Sequence, residues 1–253
     1  MSSRKIALVT GGSRGLGKDM AIQLAKKGLD VIITYNANKE AAQQTLNEIL
    51  NVGARGIALQ LDARNVASFE TFKTDLVSEL QQKWDIATID YLINNAGFGY
   101  NGSVLDTTEE AFDDLMNVHF KGVYFLTQTL LSSMNDGGGI VNISSGLARF
   151  SFPGYSAYAC MKGAIEVYTR YLAKELGDRK IKANTVAPGA INTDFNKDRF
   201  EAAPQVVDMI ASLTALGRVG EAEDIGSVVA FLCTEDAAWV NGQRLEASGG
   251  MFV

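Results

Sequence analysis

Short apolar runs alternate with amphipathic stretches along almost the whole chain. Residues 6–9, Ile-Ala-Leu-Val, form a continuous apolar run, and helical spacing follows over 18–27, closed by Gly28. The pairing repeats as a strand over 30–36 and a helix over 39–51, then a strand over 56–61 and a helix over 66–83. Further strands are predicted over 89–94, 140–144, 181–187 and 242–247, with helices over 158–176 and 221–234 between the later ones. Strands that are apolar throughout, without polar alternation, suit a parallel sheet buried on both faces. Regular strand–helix alternation predicts an α/β fold, a doubly wound parallel sheet with helices on both faces. Ligands of such a sheet bind beyond the carboxyl ends of its strands.

Two stretches depart from this rhythm. Thr107-Thr108-Glu109-Glu110 is a capping-box signature for one long helix reaching Met134. Phe112, Leu115, His119, Val123, Leu126 and Leu130 make one stripe on it, and Met116, Phe120, Tyr124, Thr127, Leu131 and Met134 a second. A helix apolar on two sides needs a second surface to cover it. The expectation is a homo-oligomer, dimer or tetramer, built through the 108–134 and 155–176 helices, with a thick intramolecular core as the rival reading. Residues 194–216 lack a sheet pattern and carry Phe195, Phe200, Met209 and Ile210, as a flap over a substrate would. No repeat or linker interrupts the chain, so 1–253 reads as a single domain.

Composition narrows the class. With 253 residues, 47% hydrophobic and 21% charged, the chain has ordinary globular proportions. No apolar run approaches the ~20 residues needed to span a bilayer, and the run after Met1 is too short for a signal-peptide core. The net charge of −6 argues against nucleic acid or a membrane surface as partner. Cys160 and Cys233 are the only cysteines and His119 the only histidine, so neither a disulfide framework nor a metal site is expected. A reducing cytoplasm is the expected compartment.

The first turn carries candidate chemistry. Glycines at 11, 15 and 17, between a strand and a helix, allow a tight turn and close approach of a pyrophosphate to the helix N-terminus. In this Rossmann-type arrangement an acid at the end of the second strand would select NAD. Thr34, Tyr35 and Asn36 are neutral there, and Asp30 lies at the wrong end. Arg14 is instead placed to meet a 2′-phosphate, helped by Asn36 or Lys39, which favours NADP over NAD. Candidate cofactor contacts are Gly11, Ser13, Arg14, Gly15, Leu16 and Gly17 in the first loop, with Tyr35 and Asn36 after it. Asp62 and Ala63 follow the third strand, where Asp62 is tilted toward an adenine contact, and Asn95, Ala96 and Gly97 follow the fourth.

A third constellation lies further on. Tyr158 and Lys162, four apart on a helix, sit roughly 40° apart around the axis and about 6 Å along it, so they share a face. A nearby ammonium lowers a phenol's pKa and lets it act as general acid or base. Ser145, thirteen residues before Tyr158 and just after a strand, can join it over one substrate oxygen. Such a pair also occurs on solvated helix faces; the order of all the motifs together decides against that here.

In that order the chain resembles the short-chain dehydrogenase/reductase family, in the compact branch that includes the 3-oxoacyl-carrier-protein reductases. The resemblance rests on Thr-Gly-Gly-Ser-Arg-Gly-Leu-Gly at 10–17, Asn-Asn-Ala-Gly at 94–97, and Ser145, Tyr158 and Lys162. It implies an NADPH-dependent oxidoreductase that reduces a ketone to a secondary alcohol, with Ser145 holding the carbonyl oxygen and Tyr158 protonating it. Lys162 would bind the nicotinamide ribose and depress the Tyr158 pKa. Pro188, Gly189, Ile191 and Thr193 resemble the segment that holds the carboxamide, and Val118 joins the cofactor contacts. One position departs from the pattern. His119 stands where the family usually places an asparagine that supports a water-mediated proton path, so it is either a relay titrating near pH 6.5 or a hydrogen-bonded core histidine. Leu147, Tyr155, Phe195 and Phe200, with Ser145, suggest an apolar substrate pocket. The rival functions are an NAD-linked secondary-alcohol dehydrogenase and a non-catalytic dinucleotide-binding protein.

Overall fold

The structure, a computed structural model, describes residues 4–193, 200, 201 and 203–253. Its strands are β1 (Ile6–Val9), β2 (Asp30–Tyr35), β3 (Gly56–Gln60), β4 (Ile89–Asn94), β5 (Met134–Ile143), β6 (Lys182–Pro188), β7 (Ile191–Asn192), β8 (Gly220–Glu221) and β9 (Arg244–Ala247). Its helices are α1 (Gly15–Lys26), α2 (Lys39–Asn51), α3 (Phe69–Trp84), α4 (Glu109–Met116), α5 (Gly122–Leu130), α6 (Ser156–Glu175), α7 (Pro204–Ser212) and α8 (Ala222–Leu232). Seven strands form one parallel sheet in the order β3-β2-β1-β4-β5-β6-β9, and β7 pairs with β8 apart from it. The order reverses between β1 and β4, which puts the switch-point crevice at the end of β1.

Alternate residues of the central strands feed two cores. Ala7 and Val9 of β1 join Val31, Ile33, Tyr91 and Val186 on one face, under Met20 and Leu24 of α1 and Ile225 and Val229 of α8. Ile6 and Leu8 turn the other way, with Ile32, Leu92 and Ile140, under Phe72 and Leu76 of α3, Leu126 of α5 and Leu172 of α6. Both faces are dry, which is why these strands read as unbroken apolar runs.

The long helix expected to reach Met134 is interrupted. Thr108 caps α4, accepting from the Ala111 amide at 3.2 Å, but residues 117–121 form a π-turn before α5 begins. The extra residue in that turn offsets the two halves around the axis, so the two stripes do not stay on their faces. Phe112 is exposed at 40% while Leu115, His119, Leu126 and Leu130 are buried. Met134 is not helical at all; it opens β5, six residues earlier than the apolar run suggested. The intervening Asn135-Asp136-Gly137-Gly138-Gly139 reads as a turn in sequence. Met134 pairs with Ile89 and Gly139 with Tyr91, so residues 135–138 form a slip in register opposite Asp90, where Gly138 backs onto the Asp90 carbonyl and a side chain has no room. Within the expected flap, α7 is helical and Thr214 bridges Met251; Phe195 lies outside the described residues. Among the described residues no helix is long and apolar enough to cross a membrane, and no group of three His, Cys, Asp or Glu is placed to hold a metal.

Candidate active site

The loop after β1 is held by backbone geometry and neutral side chains. Gly11 and Gly15 adopt φ of +64° and +53°, left-handed values that a side chain disfavours. Gly17 faces the Gly11 carbonyl and the Asn95 amide so closely that a Cβ would overlap both. The Gly12 amide donates to the Thr34 carbonyl at 2.8 Å and the Gly11 amide to Thr34 Oγ1 at 3.2 Å. Asn95 Nδ2 donates to the carbonyls of Thr10 and Gly11 at 2.9 and 3.3 Å. Thr10 Oγ1 in turn accepts from the amides of Asn95 and Ala96 at 2.9 and 3.0 Å. The ends of β1, β2 and β4 are thereby stitched together.

Arg14, the N-cap of α1, is extended (φ −159°), makes no side-chain cap, and no acid occupies the first turn. The leading N–H groups and the positive end of the helix dipole therefore face the crevice without a side-chain anion. That is an observed fit for a pyrophosphate. Arg14 is exposed and Ser13 half-buried, its carbonyl accepting from Thr45 Oγ1 at 3.2 Å, while Leu16 and Tyr35 pack on the first core. Thr193 crosses to this loop, 3.8 Å from where a Gly15 Cβ would stand. Asp30 lies at the far end of β2, fully buried and bound by Arg55 Nε at 2.8 Å, so no carboxylate closes the carboxyl end of that strand. Asn36 is exposed there. Asp62 is half-buried and turned to its own loop, accepting from the Arg64 amide at 3.0 Å, with Ala63 packed on Gly122. Val118, Pro188 and Ile191 are buried, and Gly189 abuts Ser248.

The serine, tyrosine and lysine do converge. Ser145, just past β5, hydrogen-bonds Tyr158 and also accepts from the Leu147 amide at 3.2 Å. Lys162 Nζ lies 5.5 Å from the centre of the Tyr158 ring and donates to the Ile143 carbonyl at 2.8 Å. Tyr158 and Lys162 are 8% and 5% exposed, so the solvated-face reading fails. Their proton affinities differ from the sequence expectation. Burial pushes the Tyr158 phenol up, opposed in part by the Ser145 hydrogen bond, and pushes the Lys162 ammonium down to about 8. Taking either charge into a low-dielectric core costs more than the lysine's field returns at this distance.

His119 lies in the π-turn, 1% exposed, its ring edge-on to Tyr158 at 5.2 Å between centroids. Nε2 stands 2.9 Å from the Phe98 carbonyl, and Nδ1 has no hydrogen-bond partner among the described residues. Burial, then the nearby Lys162 charge, hold its pKa well below 6.5. A histidine titrating near 6.5 is thus not what the site contains; it is neutral. Its ring also fills the space beside Gly97, where a Cβ would come 2.5 Å from Cε1.

Leu147 packs with Phe98, Tyr100 and Phe120 around Tyr158, Tyr155 caps α6 beside Phe152, and Phe200 is buried. Thr10 and Thr34, which the sequence marks only as part of a motif and as a neutral strand end, carry the loop through their hydroxyls. Ser144, Glu166 and Arg244 carry no sequence signal, being ordinary polar residues just past β5, within α6 and at the start of β9.

A family model described as Enoyl-(Acyl carrier protein) reductase matches residues 11–252. The chain is 35% identical over 257 residues to the hydroxynaphthalene reductase-like protein Arp2 of Metarhizium majus, covering 97% of this chain and 94% of that one. Among solved structures it superposes on the promiscuous reductase LugOII, which catalyses keto-reduction at C1 during lugdunomycin biosynthesis. That match has a TM-score of 0.93 and 36% identity over 98% of each chain. The angucycline C-6 ketoreductase LanV with bound NADP gives a TM-score of 0.93 and 36% identity, over 98% of this chain and 95% of that one.

Proposed function

The chain belongs to the short-chain dehydrogenase/reductase family, and from that premise we propose that it reduces an apolar ketone to a secondary alcohol with NADPH. The observation that carries this reading is the convergence of Ser145, the buried Tyr158 and the buried Lys162, whose Nζ lies 5.5 Å from the Tyr158 ring centre. Bound NADPH supplies the hydride. Ser145 holds the carbonyl oxygen, and Tyr158, kept protonated by burial, gives that oxygen its proton. The Lys162 ammonium, charged at neutral pH, offsets the negative charge left on the phenol. His119 acts as a neutral wall that fixes Phe98 and the Tyr158 ring. The uncapped start of α1 holds the pyrophosphate and Arg14 the 2′-phosphate, and a β2 that ends without an acid favours NADPH over NADH.

Phe98, Tyr100, Leu147 and Tyr155 support an apolar, ring-bearing substrate. Two copies pair through α5 and α6, where Tyr124, Val167 and Tyr171 are 38, 46 and 62% exposed. Light scattering of Tyr171→Glu tests that pairing, which predicts a smaller particle than the unmodified chain. The free thiols of Cys160 and Cys233 suit a reducing cytoplasm. The function itself is tested by NADPH consumption against polycyclic, simple and 3-oxoacyl ketones, with a deuteride-labelled cofactor. Label on the carbinol carbon of an apolar ketone is expected. Tight NADPH binding with no ketone consumed would return the chain to a non-catalytic role, and a lower dissociation constant for NADH would favour the NAD-linked dehydrogenase.

A further inference from the structure

A hydroxyl just past the end of a strand is free to swing unless its backbone is held. Two charged residues and a neighbouring serine hold this one. Ser144, 2% exposed, donates Oγ to Glu166 Oε1 at 2.7 Å. Glu166 receives Arg244 Nε at 2.6 Å on the same oxygen. Arg244 Nη2 then donates back to the carbonyl of Ser145 at 3.3 Å, while Nη1 binds Glu246 Oε2 at 2.6 Å. Glu246 closes the ring from below, its Oε1 lying 3.2 Å from where a Gly146 Cβ would stand.

The connectivity matters more than any single bond. Glu166 is one turn beyond Lys162 on α6, the helix that carries Tyr158, and Arg244 starts β9 beside β6. Helix, edge strand and catalytic loop are therefore locked to one another at the serine. The side chains of Arg244, Glu166 and Glu246 are only 21, 15 and 19% exposed. Burying such ions costs desolvation that apolar side chains would avoid, so a partly buried ion triad is weak evidence for stability and better evidence for a fixed geometry. We propose that Glu166 and Arg244 are positioning residues that hold the Ser145 hydroxyl against Tyr158. The proposal rests on the reading of Ser145 and Tyr158 given above.

The test uses the full chain and a ketone it consumes, with kcat, KM and the NADPH dissociation constant measured for each variant. Arg244→Gln should lower kcat about tenfold, leaving NADPH affinity within about twofold, because misplacing a reacting group costs rate rather than cofactor binding. In the Ser145→Ala background the same change should cost less than about twofold, since a residue acting only through that hydroxyl has nothing left to position. Arg244→Lys, which keeps the ion pair but not the fork, should recover part of the rate. If Arg244→Gln does not fold, Glu166→Gln and Ser144→Ala make the same comparison with smaller perturbations. Wild-type kcat in the single variants, or a loss repeated in full on Ser145→Ala, would overturn the proposal. A fully active Ser145→Ala would instead overturn the reading beneath it.

Discussion

The two halves of the sheet hold their ends together by different means. On the β1–β4 side the loop is fixed by glycine backbone geometry and neutral donors and acceptors: Thr10, Thr34 and Asn95. On the β5–β9 side, buried or half-buried ions do the fixing: Lys162 on the Ile143 carbonyl, and Arg244 with Glu166 around Ser144 and Ser145. The first half must receive a polyanion, and any fixed carboxylate near α1 would repel it. On the proposed function the second half keeps a phenol and a hydroxyl in register while charge develops, where rigid ions in a dry site act most strongly. A seam of amides and hydroxyls ties the two together across β4, β5 and β6, running from Thr127 through Asn94 and Asn142 to Thr169 and Thr185.

Substitutions on either side of that seam should separate binding from rate. Ser145→Ala is expected to cut kcat about a hundredfold with NADPH affinity intact, since removing one donor to a developing oxyanion costs that much; a change confined to cofactor affinity would erase the distinction. Asn142→Ala, in the seam itself, leaves Asn94 and Thr169 without their shared partner and should lower unfolding stability by about 1–3 kcal/mol in a urea titration. Arg14→Ala should weaken NADPH about tenfold in a fluorescence titration while leaving NADH and kcat unchanged. Equal losses for both cofactors would remove Arg14 from the 2′-phosphate.

The smallest effect is one of pH. Lys162 has a folded pKa lowered to about 8 from an unfolded 10.5, so burying its charge penalises the fold fully below pH 8. That penalty lifts as pH rises from 8 toward 10.5, because the unfolded chain then holds more protons than the folded one. Between pH 8 and 9 wild type should therefore gain on the order of 1 kcal/mol relative to Lys162→Met. The buried phenols and Cys233, whose pKa values are raised by burial, oppose this trend in both proteins and drop out of the difference.

How far the sequence foretold this differs between the halves as well. Strand–helix alternation, the parallel sheet, the glycine loop and the Ser145–Tyr158–Lys162 set follow from periodicity and motif spacing, because backbone demands leave few residue choices. The π-turn at 117–121 was hidden, since one inserted residue barely disturbs an apolar pattern while rotating everything beyond it. The start of β5 was hidden by glycines whose role is to clear space for the β4 backbone. Arg244, Glu166 and Ser144 were invisible because their meaning lies in contacts between residues 78 and 22 positions apart. The direction of the Tyr158 shift was missed for the same reason: burial is a property of the assembled core.

The most direct measurement pairs two readouts on Tyr158→Phe: NADPH affinity by fluorescence titration, and the single-turnover rate of NADPH oxidation with saturating ketone. Loss of a positioned general acid should slow the single turnover by about a hundredfold or more while the dissociation constant stays within about twofold. A near-normal turnover rate would contradict the assignment of Tyr158, and with it the division of labour across the sheet.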